Sequence, residues 1–183
     1  MKSLPHLLTL AGVAIGLGAA SSSWWTLVLT TGSTLPVTGW DASAASSSLA
    51  VLALVAYGAR WTFQGVVRRI LAAIQVLASG GAVVAIISSA SAPVESALSE
   101  ITAATGVSGN AARELVESVS VSGSHFLAIG ALGLIILGGI VALWEPRTSP
   151  GASRYERRAR SASLEDSVAT WDDLSGGIDP TKR

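Results

Sequence analysis

The side chains able to do covalent or metal chemistry in this chain are few and scattered. It has two histidines, His6 and His125, and no cysteine, which excludes disulfides, thiolate metal sites and thiol nucleophiles. Each histidine stands near the edge of a long apolar run, and the two runs put them at opposite faces of a membrane, so they cannot share a metal. The serines have only His125 nearby and no carboxylate placed to orient it, so no nucleophile–base–acid grouping forms. Gln75 is the one clear amide inside an apolar run, and a buried amide of this kind is more often a structural tie than a catalyst. No cofactor, metal or enzymatic activity is expected.

Chemistry of recognition is better represented. The tail holds WDDLSGGIDPT, residues 171–181, with one large aromatic among acids, Ser and Gly. Ser163 can cap a helix there, Glu165 and Asp166 suit its first turn, and Gly176-Gly177 ends it. Leu164, Val168, Trp171 and Leu174 then fall on one side of a short helix over about 164–174. They are candidate docking residues for a cytoplasmic protein. Before them, Arg154, Arg157, Arg158 and Arg160 form a basic linker able to draw anionic lipid at about 1 kcal/mol per residue, or simply to set topology.

These groups are positioned by apolar blocks. Half of the residues are apolar and 13% charged, against about 25% charged in a soluble domain, and the mean hydropathy is +0.55. Net charge is zero, so no global field suggests nucleic acid as a partner. Four runs, at about 4–23, 42–59, 70–90 and 124–144, are long enough to cross about 30 Å of hydrocarbon. The second is the weakest, diluted by Ser43, Ser46, Ser47 and Ser48. The expected fold is an all-α integral membrane protein: a four-helix transmembrane domain over 1–144 and a cytoplasmic tail over 145–183.

Basic residues set the orientation. Lys2, Arg60, Arg68, Arg69 and everything basic after the fourth run fall on one side, leaving only Arg113 opposite. The positive-inside rule then puts both termini in the cytoplasm of a multi-pass cell-membrane protein. The first run also reads as a cleaved signal peptide, with Ala19-Ala20-Ser21 near the cut. That alternative leaves three spans and the same sides.

No Asp, Glu, Lys or Arg lies inside any run. A mid-bilayer charge costs roughly 2.5–3.5 kcal/mol on insertion scales and is kept where it is needed. A proton-coupled carrier, a channel with a charged filter and an intramembrane protease are therefore disfavoured. Trp24, Trp25, Trp40, Trp61 and Trp144 fall at predicted boundaries and read as membrane-interface anchors. Small residues at four-residue spacing, Gly12/Gly16/Ala20 and Gly81/Ala85/Ser89, suit close helix packing in lipid; Gly130, Gly133, Gly138 and Gly139 loosen the fourth run or serve contacts of their own.

The outer loops carry weaker signals. Thr, Val and Leu flank the turn Thr31-Gly32-Ser33, predicting a small β-hairpin with Pro36 on an edge. In the second loop, Pro93 and Glu95 open a short amphipathic helix bearing Val94, Leu98 and Ile101. Asn110 caps a second one bearing Leu115, Val116 and Val119.

With these features in place, the chain resembles the tryptophan-operon-associated membrane proteins of actinobacteria. The resemblance runs over essentially the full length. It is most specific in the tail, at SRYE (153–156) and WDDLSGGIDPT (171–181), while the stretch between these motifs departs from it. It implies an association with tryptophan biosynthesis and no particular reaction. Two functions are compatible with it. One is a non-enzymatic accessory or adaptor holding a cytoplasmic partner; the other is a small transporter or sensor of an aromatic compound. Neither the partner, the ligand nor the oligomeric state is encoded legibly.

Overall fold

The computed structural model describes residues 3–144. The tail, with the predicted helix at about 164–174, lies outside the described residues. The elements run α1 (Leu4–Ser21), β1 (Ser23–Leu29), β2 (Thr34–Thr38), α2 (Gly39–Ala42), α3 (Ala44–Ala59) and α4 (Val66–Ser91). The chain continues through α5 (Pro93–Ser96), α6 (Leu98–Thr105), α7 (Asn110–Glu114), β3 (Val116–Val121) and α8 (Ser124–Leu143).

Among the described residues, three helices are long and apolar enough to cross a membrane: α1, α4 and α8. The expected span at 42–59 is not confirmed. It contains α3, a shorter apolar helix of 16 residues, about 24 Å at 1.5 Å per residue and short of the hydrocarbon thickness. The serines are the cause. Ser43 breaks from helical geometry (φ −157°, ψ 93°) and its hydroxyl caps α3 by accepting from the Ser46 N–H. The preceding residues are cut off as the separate turn α2.

The small residues decide how the long helices pack. Helix α1 lies along α8, α8 along α4, and α4 along α3. A Cβ on Gly12 would stand 2.6 Å from the Ala131 carbonyl oxygen. One on Gly139 would stand 2.6 Å from Val76 Cγ2, and one on Gly138 would strike Thr9 and Pro5. These glycines let the α1–α8 and α8–α4 backbones close up, as small residues do where lipid removes the hydrophobic drive between helices. Gly130 and Gly133 meet nothing within 4 Å.

The face that carries the strands departs from the all-α expectation more strongly. The predicted hairpin supplies two strands of a three-stranded antiparallel sheet ordered β2-β1-β3. Strand β3 comes from the second outer loop, where a helix bearing Leu115, Val116 and Val119 was expected; the helix there, α7, stops at Glu114. Val116-Glu-Ser-Val-Ser-Val is rich in β-branched residues, and it pairs with β1 from Trp25↔Val121 to Leu29↔Val116, which satisfies a backbone edge that would otherwise lie open. Trp25, Leu27 and Leu29 on β1 are buried with Val37, Ile101 and Ala112. This outer cap shares one apolar core with Ala19, Ala82, Ile86 and Leu132 of the long helices.

An ion pair closes the cap. Arg113 grips Glu95 through two contacts, at 2.5 and 2.8 Å, and also reaches the Asn110 side chain. The hydrogen bond from Arg113 holds the Glu95 carboxyl below its ordinary value. A carboxyl with a depressed native pKa contributes stability above its unfolded pKa, about 4.3, and loses it as pH falls through the native one. Protection of 93–114 against hydrogen exchange, taken relative to an unstructured peptide at the same pH, is therefore expected to stay constant from neutral pH down to that range, with exchange quickening relative to that peptide only below it. Because the pair is half-exposed, the change should be small; quickening already near neutrality would contradict the assignment.

Candidate functional site

Two features in the membrane-embedded part bring chemistry-bearing side chains together. The first is a polar knot around Gln75, which is fully buried on α4. Its Oε1 accepts from Arg60 Nη1 at 2.8 Å. Its Nε2 donates to the Ile135 carbonyl of α8 at 2.9 Å and to Thr9 Oγ1 of α1 at 3.4 Å. Thr9 in turn donates to Pro5 O at 2.9 Å. Arg60 immediately follows α3, so one amide joins all four apolar helices. The arrangement uses every hydrogen-bonding valence that a primary amide needs in a dry interior. Arg60 is 3% exposed and reaches beneath Tyr57, whose ring lies 5.9 Å from its guanidinium. The sequence reading placed Arg60 in an inner basic loop. Its burial follows from α3 ending at Ala59, which delivers the next side chain inward rather than into the loop.

The second feature is a groove between α1 and α3, which do not pack along their lengths. Gly12, Gly16 and Ala20 line one wall and Ala50 and Leu54 the other, with Ile135 and Leu132 of α8 as floor. The cavity measures about 110 Å³. That is the scale of an apolar cavity that accepts a single ring or a stretch of hydrocarbon. Gly39, Trp24 and Trp40 bound its outer end. Toward the inner end α1 and α3 meet through aromatic rings: His6 lies 5.9 Å from Tyr57 and 5.4 Å from Trp61, centroid to centroid, with His6 Nδ1 3.3 Å from the Tyr57 hydroxyl. Among the described residues no ionisable side chain lines the walls.

The tryptophans expected to act together as interface anchors divide into two groups. Trp40, Trp61 and Trp144 are 41%, 69% and 85% exposed. Trp24 and Trp25 are 1% and 0% exposed and lie on β1, so the protein rather than the lipid boundary encloses them. Trp24 Nε1 donates to Ala19 O at 2.8 Å, and its ring occupies the space a Cβ on Gly39 would need. Trp25 packs edge-on to Trp24 and 5.7 Å from the His125 ring; its N–H finds no partner among the described residues. The signal was present in SWWTLVL, which reads as continuous strand through both rings. His6 and His125 lie in separate clusters, and among the described residues no group of His, Asp and Glu is placed to hold a metal. Leu164, Val168, Trp171, Leu174 and Arg154, Arg157, Arg158 and Arg160 lie outside the described residues.

The profile of one family, described as tryptophan-associated transmembrane protein, matches residues 6–181 of the chain. No curated protein and no solved structure matches it.

Proposed function

Because the chain belongs to the tryptophan-associated transmembrane proteins, we propose that it is a non-enzymatic accessory protein of the cell membrane that serves tryptophan biosynthesis by holding a cytoplasmic partner through its tail. The observation that carries this reading is the Gln75 knot. The buried amide, hydroxyl and guanidinium near the middle of the bundle bond one helix to the next rather than pointing into a reaction space. A bundle tied in this way suits a membrane anchor for the segment that follows α8. The docking residues are Leu164, Val168, Trp171 and Leu174, with Arg154, Arg157, Arg158 and Arg160 resting at the inner lipid surface.

Orientation is part of the proposal. Basic residues favour both termini in the cytoplasm. Pro5 near the start of α1 lies against Gly138 near the end of α8, which supports their sharing one side, with α3 carrying the chain back despite its shortness. A reporter joined after Arg183 is expected to be active only in the cytoplasm and one inserted at Gly106 only outside. A cytoplasmic Gly106 reporter overturns the orientation and the adaptor with it.

The second reading, a sensor or small transporter of an aromatic compound, is favoured by the α1–α3 groove. Its walls offer no counter-ion, so an uncharged ring such as indole should enter while zwitterionic tryptophan should not. Titration with both separates the readings: saturable binding of indole, lost in Gly16→Leu, supports the sensor.

A further inference from the structure

We propose that the α1–α3 groove is the seat of one acyl chain of an outer-leaflet phospholipid whose headgroup carries an amine. The inference does not depend on what the tail docks.

Shape comes first. The groove follows α1 from Thr9 to Ala20 and α3 from Ser46 to Leu54, so it is narrow and runs with the helices for about 16 Å at 1.5 Å per residue. The enclosed part, about 110 Å³, takes a ring or a stretch of hydrocarbon. An acyl chain lying along the bilayer normal would continue through the groove's open side where a compact ring would not. The groove is also open sideways, since its lip residues Leu17 and Val51 are each 51% exposed and stand where hydrocarbon surrounds the helices. A chain can therefore enter from the bilayer without crossing water.

Polarity then sets the direction. The glycine and alanine walls are apolar for most of their length, and the wettest groups, Ser47 and Trp40, lie at the outer mouth. The inner end is closed by His6, Tyr57 and Trp61. The headgroup must therefore project from the outer end. There α2 carries Trp40 and the exposed Asp41, whose carboxylate accepts from Thr38 Oγ1 at 2.6 Å. Among the described residues of the outer face the one basic side chain, Arg113, is engaged with Glu95. With Asp41 on the same short helix as Trp40 and Arg113 engaged elsewhere, the surroundings of that end complement an ammonium and repel an anionic headgroup.

The test is native mass spectrometry of the full chain in detergent with dioleoyl phosphatidylethanolamine or dioleoyl phosphatidylglycerol. The wild type should retain one phosphatidylethanolamine and hold phosphatidylglycerol more weakly. Gly16→Leu fills the groove at a point where the first added carbon meets only Ala131 Cβ, at 3.5 Å, so the helix tolerates it; retention should fall by roughly tenfold or more. Ala50→Leu fills the same space from the opposite wall and serves if Gly16→Leu folds poorly. Gly18→Leu, on a side of α1 with nothing within 4 Å, should retain lipid as the wild type does. Asp41→Asn should erase the preference between the two headgroups. Equal retention by wild type and both filled variants overturns the proposal, as does phosphatidylglycerol bound as well as phosphatidylethanolamine. Indole that saturates the wild type while neither lipid is retained would give the groove to an aromatic ligand and overturn it too.

Discussion

Gly138→Leu is expected to cost the bundle most of its stability, whereas Gly133→Leu, five residues earlier on the same helix, should leave it nearly unchanged. A Cβ at Gly138 would strike the Thr9 hydroxyl, approach the Pro5 carbonyl oxygen to 2.8 Å and reach the Thr9 nitrogen at 3.2 Å. Two of those three atoms are backbone, and the hydroxyl is held in the Gln75 knot, so none can move aside cheaply. Overpacking costs about 1–3 kcal/mol, and more where the backbone itself must shift. The value for Gly138→Leu should lie at or above the top of that range. Gly12→Leu should behave alike, because Ala131 O lies 2.6 Å and Ile135 Cγ1 2.8 Å from the position of its Cβ. Gly133 meets nothing within 4 Å. Thermal unfolding in detergent, followed by circular dichroism, separates the two positions. Equal midpoints for Gly138→Leu and Gly133→Leu would mean that α1 and α8 do not approach as described.

Gln75→Leu is the second large effect. The substitution keeps the volume and removes three hydrogen bonds, among them an acceptor for a buried guanidinium. Hydrogen bonds between helices in lipid average about 0.6 kcal/mol. A hydrogen bond to a charged group contributes about 1.5–3 kcal/mol, so loss of the Arg60–Gln75 bond governs. The expected loss is about 2–3 kcal/mol. A double-mutant cycle with Arg60→Met isolates the coupling, which should be at least about 0.5 kcal/mol. Strict additivity of the two substitutions would show that the knot is not one unit. Gln75→Glu should not rescue the fold, since a carboxylate has no proton to give Ile135 O.

Both predictions depend on contacts that the sequence reveals only in part. Helices α1, α4 and α8 were legible because a long apolar run has few alternatives to a buried or membrane-spanning helix. The start of α3 was not, because Ser46, Ser47 and Ser48 dilute hydropathy without breaking helical periodicity; the break at Ser43 is a matter of backbone geometry. Strand β3 was misread for a related reason. Leu115 and Val119 fit a helical stripe, Val119 and Val121 fit alternation, and over six residues the two periods cannot be told apart. What decides between them is β1, remote in sequence, where Ser122 Oγ donates to Ser23 O across 99 positions.

The candidate sites show the same division. Gln75 stood out as a lone amide in an apolar run, yet its partner Arg60 lies 15 positions away and reads in sequence as one more basic residue between two runs. Trp24 and Trp25 were read as interface anchors because an aromatic at the end of an apolar run usually is one. Their burial depends on the cap that folds over them from the second outer loop. The groove had no sequence signature, since it is the space left where α1 and α3 fail to pack. Gly12, by contrast, was visible in a four-residue ridge, and its approach to Ala131 gives that ridge its use; Gly138 and Gly139, read as loosening the fourth run or serving contacts of their own, serve contacts.

The adaptor role is tested most directly at Trp171. The helix expected from the sequence over about 164–174 would be marginal alone in water, so a stripe of Leu164, Val168, Trp171 and Leu174 would need a surface to lie on, and a central Trp anchor often contributes more than about 2 kcal/mol. The decisive measurement is quantitative recovery of cytoplasmic proteins cross-linked to the full chain in its native membrane, comparing wild type with Trp171→Ala. A defined partner is expected with the wild type and roughly tenfold less of it or lower with Trp171→Ala, with membrane insertion and the unfolding midpoint of the bundle unchanged. Equal recovery from the two chains would contradict the adaptor role.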